Sequence, residues 1–241
     1  MSRSKLPTAR ASRRRAVAFA ACLAVVGAGC GESGSESAPT TTEATLGGVV
    51  RDPTPSVADI SLPNVSDGGK PMAFVGPPNG LLIVYFGYTS CPDVCPTTLA
   101  DLKAALKKTG EDADRVQVAM ATIDPRRDTA EVLDGYVKSF FPTAIALRAK
   151  DDAQLQAATD ALGVSYQTDY SDPANPEVAH SGYLYAIDAD GNLRVQWAFG
   201  TTANDLAADI ELLLSDQAAD PTGSGAGADT GSATTSSMKG Q

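Results

Sequence analysis

Two cysteines and one histidine carry most of the chemistry open to this sequence. Cys91 and Cys95 stand four positions apart in the run Tyr88-Thr-Ser-Cys-Pro-Asp-Val-Cys-Pro96. On a helix that spacing puts two side chains on one face, about one turn apart. Sulfurs so placed can close a Cys91–Cys95 disulfide if their Cα atoms lie within ~7 Å. They can equally share one metal ion, or work as a redox pair in which one thiolate attacks a partner disulfide and the other resolves the product. Cys95 is expected at or just before a helix N-terminus, whose unpaired N–H groups and partial positive charge favour a thiolate. Pro92 and Pro96 restrict the loop, and Asp93 between the cysteines reads as a carboxylate that tunes them or contacts a partner, or as a solvated one.

His180 is the sole histidine of the chain. A lone histidine before a strand ordinarily belongs to a surface or a core. Beside two thiolates it would complete a Cys₂His set. Soft sulfur ligands select copper(I), and the imidazole also suits copper(II). A closed zinc site normally takes four ligands. Downstream of the cysteines, Asp124 follows a strand at the same end of the sheet. Asp128 reads as a helix cap, with Glu131 completing a capping box. Arg126 and Arg127 are expected to pair with nearby acids, and Trp197 to lie in the core.

The elements that must position these residues follow from periodicity. Leu81–Phe86 is a continuous apolar run, as in a strand covered on both faces. Thr97–Lys108 has Leu99, Leu102 and Leu106 in helical phase. Val116–Ile123 reads as a second strand. A helix after Asp128 turns Val132, Leu133, Tyr136, Val137 and Phe140 inward. Ala144–Leu147 is a short strand, and Asp151–Leu162 a helix stopped by Gly163. Gly182–Asp188 and Leu193–Phe199 form a hairpin around Asp190-Gly191. Thr202–Leu214 closes the domain with Leu206, Ile210 and Leu213 in phase. Ala58–Leu62 and Pro71–Val75 make a small N-terminal hairpin. Alternating strands and helices, then a hairpin and a helix, predict an α/β thioredoxin-like fold: a mixed central sheet flanked by helices, with the cysteine pair where the first buried strand meets its helix.

Composition and charge set the surroundings. The chain has 241 residues, 43% of them hydrophobic, which suits one globular domain with tails. Residues 1–30 hold six of the 19 basic residues and none of the 29 acidic ones. The remainder is therefore strongly acidic, which repels phosphate backbones and argues against nucleic acid as a partner. Arg13-Arg14-Arg15 followed by the apolar Ala16–Ala28 predicts a secretory signal, with a stretch too short to span a bilayer comfortably. Gly27-Ala-Gly-Cys30 resembles a bacterial lipobox, with Gly27 where leucine is usual. Cys30 is accordingly expected to be acylated, tethering an exported protein to the outer face of the cell membrane. Residues 31–45 read as a disordered polar stalk, 46–217 as the folded domain and 218–241 as a disordered tail. Cys22 falls in the signal, so Cys91 and Cys95 are the domain's only thiol couple.

Three segments together resemble the Sco/SenC copper chaperones. They are Gly87-Tyr-Thr-Ser-Cys-Pro-Asp-Val-Cys-Pro96, Thr122-Ile-Asp-Pro-Arg-Arg-Asp-Thr129 and His180-Ser-Gly-Tyr-Leu-Tyr-Ala-Ile-Asp188, in the family's order across about residues 57–215. The resemblance implies a thioredoxin fold that binds copper through Cys91, Cys95 and His180. It further implies delivery of copper to the binuclear centre of cytochrome c oxidase subunit II, or reduction of that subunit's thiols. Another copper chaperone and a thiol reductase are further partners on this reading. Two positions depart from the family pattern. Ala179 stands where many members have an acidic residue, with Glu177 nearby, and Ser90 replaces a histidine or aromatic. The main alternative is a thiol–disulfide oxidoreductase, which would need both cysteines but not His180. A peroxidase is a weaker third, because no motif for a peroxide pocket is present.

Overall fold

The computed structural model describes residues 45–172 and 176–219. The expected signal segment, Cys30 and its lipobox, most of the stalk and the tail from residue 220 lie outside the described residues. Among the described residues no helix is long and apolar enough to cross a membrane.

Among the described residues nine strands and four α-helices follow one another: β1 (Ser61–Asn64), β2 (Lys70–Ala73), β3 (Leu81–Gly87), α1 (Val94–Thr109), β4 (Val116–Thr122), α2 (Ala130–Phe140), β5 (Ile145–Leu147), α3 (Asp152–Leu162), β6 (Tyr166–Asp169), β7 (Glu177–His180), β8 (Leu184–Ile187), β9 (Leu193–Trp197) and α4 (Ala203–Ala219). Seven strands form one sheet in the order β2-β1-β5-β4-β3-β8-β9. β3, β4 and β5 run parallel, while β8 and β9 add antiparallel pairs beside β3. This is the thioredoxin-like plan predicted from the alternation of elements. The N-terminal hairpin forms at β1 and β2, its first strand later and its second slightly earlier than expected, and docks antiparallel on β5 through Asn64 and Leu147.

β3 lies inside the sheet between β4 and β8, and every residue of it is buried. Successive side chains point to opposite faces. Leu81, Ile83 and Tyr85 join one core with Leu99 and Leu102 of α1, Leu133 and Val137 of α2, and Leu206, Ile210 and Leu213 of α4. Leu82, Val84 and Phe86 join the other core with Leu155, Ala158 and Leu162 of α3. Burial on both faces explains the unbroken apolar run in the sequence. Trp197 is in the first core as expected, and its Nε1 donates to Asp209 at 2.7 Å.

Two details differ from the sequence reading. The residue that caps α2 is Thr129, whose hydroxyl accepts from the Val132 N–H at 3.3 Å, not Asp128. With the cap one residue later, Val132 rather than Glu131 occupies the position opposite it, so the capping box does not form. Val132 is 47% exposed instead of inward-facing, while Leu133 and Val137 are buried as expected. The second difference is the two-stranded sheet of β6 and β7, which the sequence reading left unassigned. α3 keeps its expected ends: Asp151 accepts from the Gln154 N–H at 2.8 Å, and Gly163 ends the helix at φ 69°.

Candidate metal centre

The site begins where the chain leaves β3. Gly87 ends that strand opposite Thr122 of β4. A methyl group at Gly87 would stand 2.6 Å from Tyr85 Cε1 and 3.0 Å from Cys95 Sγ, so glycine leaves the space that the sulfur fills. The loop that follows is hung from the neighbouring strand end. The Thr89 N–H and hydroxyl donate to the Asp128 carboxylate at 3.0 and 2.5 Å. The Thr122 hydroxyl donates to the same carboxylate at 2.6 Å. Asp128 is fully buried. Its expected capping role is thus replaced by a cross-strand one: with three donors satisfied, the carboxylate ties the cysteine loop to the end of β4.

α1 starts at Val94, which places Cys95 in its first turn. The Cys95 N–H donates to Cys91 Sγ at 3.2 Å, so this helix-end N–H is aimed at Cys91. Cys95 itself is fully buried, whereas Cys91 is half-buried, and both are free thiols in this structure. Burial, and next the contact with Cys91, push the Cys95 thiol up to about 12, although Tyr85 and the Tyr88 backbone act the other way. The expectation that the helix end makes Cys95 a ready thiolate is therefore corrected for the metal-free protein. Loss of hydration outweighs the partial charge of the helix end.

His180 closes β7, paired with Tyr166 of β6. Its Nε2 lies 3.6 Å from Cys95 Sγ, across 85 positions of sequence. Its Nδ1 lies 3.1 Å from the Ser181 carbonyl oxygen, which can only accept. That contact assigns the proton to Nδ1 and turns the Nε2 lone pair toward the sulfurs. Burial lowers the histidine's pKa against the opposing pull of the Ser181 carbonyl, favouring the neutral ring. The rings of Tyr85 and Tyr88 both meet the imidazole edge-on, at 6.0 Å between centroids.

Cys91, Cys95 and His180 therefore bring two sulfurs and one nitrogen within 4.8 Å of one another. Metal–sulfur and metal–nitrogen bonds of about 2.3 and 2.0 Å put neighbouring ligand atoms roughly 3.5–4 Å apart. One ion can be held after a closure of about 1 Å. The donor set is soft and three-membered, which suits copper better than a closed zinc site.

The remaining expected residues lie around this centre. Asp124 is fully buried, pairs with Arg127 and accepts from the Tyr170 hydroxyl. The Arg127 guanidinium lies over the Tyr88 ring, 5.6 Å from its centroid. Arg126 rests on the Tyr170 ring at 4.5 Å. Ser90, Asp93, Glu177 and Ala179 are exposed. Asp93 stands at the N-cap position of α1 without capping it through its side chain. Sequence reasoning missed Tyr85, Tyr88 and Thr89 as neighbours of the site. The two tyrosines read as strand and loop residues, and nothing in the sequence links Thr89 to Asp128.

Known proteins resemble the chain in the same region. An SCO2-like protein of Rickettsia typhi is 37% identical over 113 residues, covering 46% of this chain and 55% of that protein. The chain thus spans about half the length of the curated relatives it matches. The solution structure of apo Sco1 from Thermus thermophilus is 30% identical, covers 74% of this chain and 99% of its own, and superposes with a TM-score of 0.57. Bradyrhizobium japonicum ScoI, solved with copper bound, is 28% identical, with 64% and 96% covered and a TM-score of 0.55. The family model described as SCO1/SenC matches residues 67–215, which include both cysteines and the histidine. On this match and the architecture that accompanies it, the chain belongs to the SCO1/SenC family.

Proposed function

We propose that this protein is an extracytoplasmic metallochaperone. It binds copper through Cys91, Cys95 and His180 and passes it to the binuclear centre of cytochrome c oxidase subunit II. One observation carries the copper reading: two thiols and an imidazole, with its free nitrogen facing a sulfur, lie within 4.8 Å of one another. The copper-bound Bradyrhizobium relative supports the choice of metal. The recipient rests on the family likeness of the three sequence segments. Acylation of Cys30 would hold the domain at the outer face of the cell membrane, near such a recipient.

Copper titration of the purified chain tests the reading. Wild type is expected to bind one copper(I). Cys91→Ser and Cys95→Ser lose it, and His180→Ala weakens binding of both copper states. Unchanged binding in His180→Ala sinks the Cys₂His assignment. Copper transfer to the metal-free copper domain of subunit II, followed by spectroscopy, tests the recipient. The mass of the N-terminal peptide from native membranes tests acylation.

A second reading is favoured by the unequal exposure of the two thiols. Cys91 is the less enclosed of the two residues and would be the one a partner disulfide meets first, with buried Cys95 placed to resolve. Cys91 thiolate would attack the partner disulfide and release one partner thiolate. Cys95 would then displace the other, leaving a Cys91–Cys95 disulfide and a partner reduced by two electrons. Disulfide formation removes both sulfur ligands, so the two activities exclude each other in one molecule at one time. Disulfide reduction that survives in His180→Ala separates this activity from copper transfer.

A further inference from the structure

Tyr85 is fully buried at the centre of β3, and its hydroxyl finds no hydrogen-bond partner among the described residues. That is an unusual place for a polar group, because buried hydroxyls are ordinarily satisfied. Its surroundings explain the exception. The ring of Tyr85 meets the His180 ring edge-on at 6.0 Å. Gly87 lets its Cε1 edge and Cys95 Sγ pass within reach of the same point, where even a methyl group would crowd both. Thr98 is the other polar neighbour, and it gives its own hydroxyl proton to the Val94 carbonyl at 2.8 Å. Tyr85 thus shares a core with Cys95 and meets the His180 ring, with a hydroxyl that makes no well-formed hydrogen bond in the metal-free protein.

We propose that Tyr85 is a positioning residue for the loaded site, its hydroxyl donating to the sulfur of Cys95 when that sulfur holds the metal ion. The inference rests on the copper reading above and adds a residue to it. A neutral thiol is a poor acceptor, so the hydroxyl gains little from Cys95 in the metal-free state. A metal-bound sulfur carries negative charge and accepts strongly. A donor aimed at a ligand atom orients that ligand and tunes the metal's electronics. Two other buried tyrosine hydroxyls, those of Tyr136 and Tyr185, also lack hydrogen-bond partners among the described residues. Tyr185 belongs to the opposite core, and neither is in ring contact with His180.

Tyr85→Phe removes the hydroxyl and leaves the ring, which keeps the packing of β3. The reduced, metal-free full chain of this variant is expected to be as stable as wild type or more so, because an orphaned donor has gone. Its copper(I) complex is expected to lose metal to a competing chelator at about tenfold lower chelator strength. The sulfur-to-copper(II) charge-transfer band is expected to move to longer wavelength, since a sulfur without its donor gives up charge more easily. Equal copper retention together with an unmoved band overturns the proposal. So does a marked loss of stability in the metal-free variant, which would mean that the hydroxyl already serves the core. Wild type run in parallel separates the two levels: if it takes up no copper, the copper reading itself fails and Tyr85 has no loaded site to serve.

Discussion

Thr89 donates twice to one carboxylate of Asp128, through its N–H at 3.0 Å and its hydroxyl at 2.5 Å. The loop that carries Cys91 is thereby fastened to a buried residue 39 positions away, which the Thr122 hydroxyl ties in turn to the end of the neighbouring strand. Removal of the acceptor leaves the Thr89 and Thr122 donors unsatisfied at a buried point. Asp128→Ala is expected to cost about 2–4 kcal/mol, read from urea denaturation. It should also weaken copper binding, because the cysteine loop loses its tie. Asp128→Asn, which keeps one acceptor oxygen, should retain part of both. A variant with wild-type stability would show that the loop holds itself.

Gly87 is the narrowest point of the site. A Cβ there would sit 2.6 Å from the Tyr85 ring and 3.0 Å from the Cys95 sulfur. Gly87→Ala is therefore expected to push the sulfur and the ring apart. The cost should be about 1–3 kcal/mol from overpacking, with copper affinity falling more steeply than stability. Thermal unfolding and chelator competition on the same preparations measure both.

Stability of the reduced, metal-free protein should depend on pH through two residues, with opposite signs. Burial raises the Cys95 thiol from an ordinary 9.0 to about 12. The unfolded chain thus loses this proton first as the pH rises. The contribution of Cys95 is complete below pH 9 and is lost between 9 and 12. Burial lowers the pKa of His180 from an ordinary 6.5, so the unfolded chain takes up the proton first as the pH falls. Its contribution is present above 6.5 and is lost on acidification. Denaturation midpoints across pH should show a shallower alkaline limb in Cys95→Ala and a shallower acid limb in His180→Ala. Limbs identical to wild type would refute the assignments.

The N-terminal segment of the domain is held by a second buried carboxylate. Asp209 of α4 accepts from the Gly47 N–H at 2.8 Å, the Gly48 N–H at 2.9 Å and Trp197 Nε1 at 2.7 Å. Val49 then exchanges two backbone hydrogen bonds with Gln196 at the β9 edge. Asp209→Ala should free this segment and uncover the edge. Faster proteolytic cleavage near residues 46–52 and a red-shifted Trp197 fluorescence are expected, with about 2–3 kcal/mol of lost stability.

The sequence by itself determined the architecture and singled out the three residues that the structure brings together. An apolar run buried on both faces, helices with one apolar stripe and a Gly-marked hairpin leave few ways to assemble, and short-range periodicity records all three. The spacing of Cys91 and Cys95 is likewise local, so their shared face was legible. Three matters were decided only by tertiary structure, because each depends on contacts between distant positions. His180 reaches Cys95 through the β6–β7 ribbon, whose strands of four residues are too short to declare themselves. Aspartate and threonine both cap helices well, and with Asp128 engaged by Thr89 and Thr122 the cap falls to Thr129. Lastly, a helix start suggests an activated Cys95, but the enclosing core sets its hydration, and burial by Tyr85, Leu99 and their neighbours reverses the expected direction of its pKa.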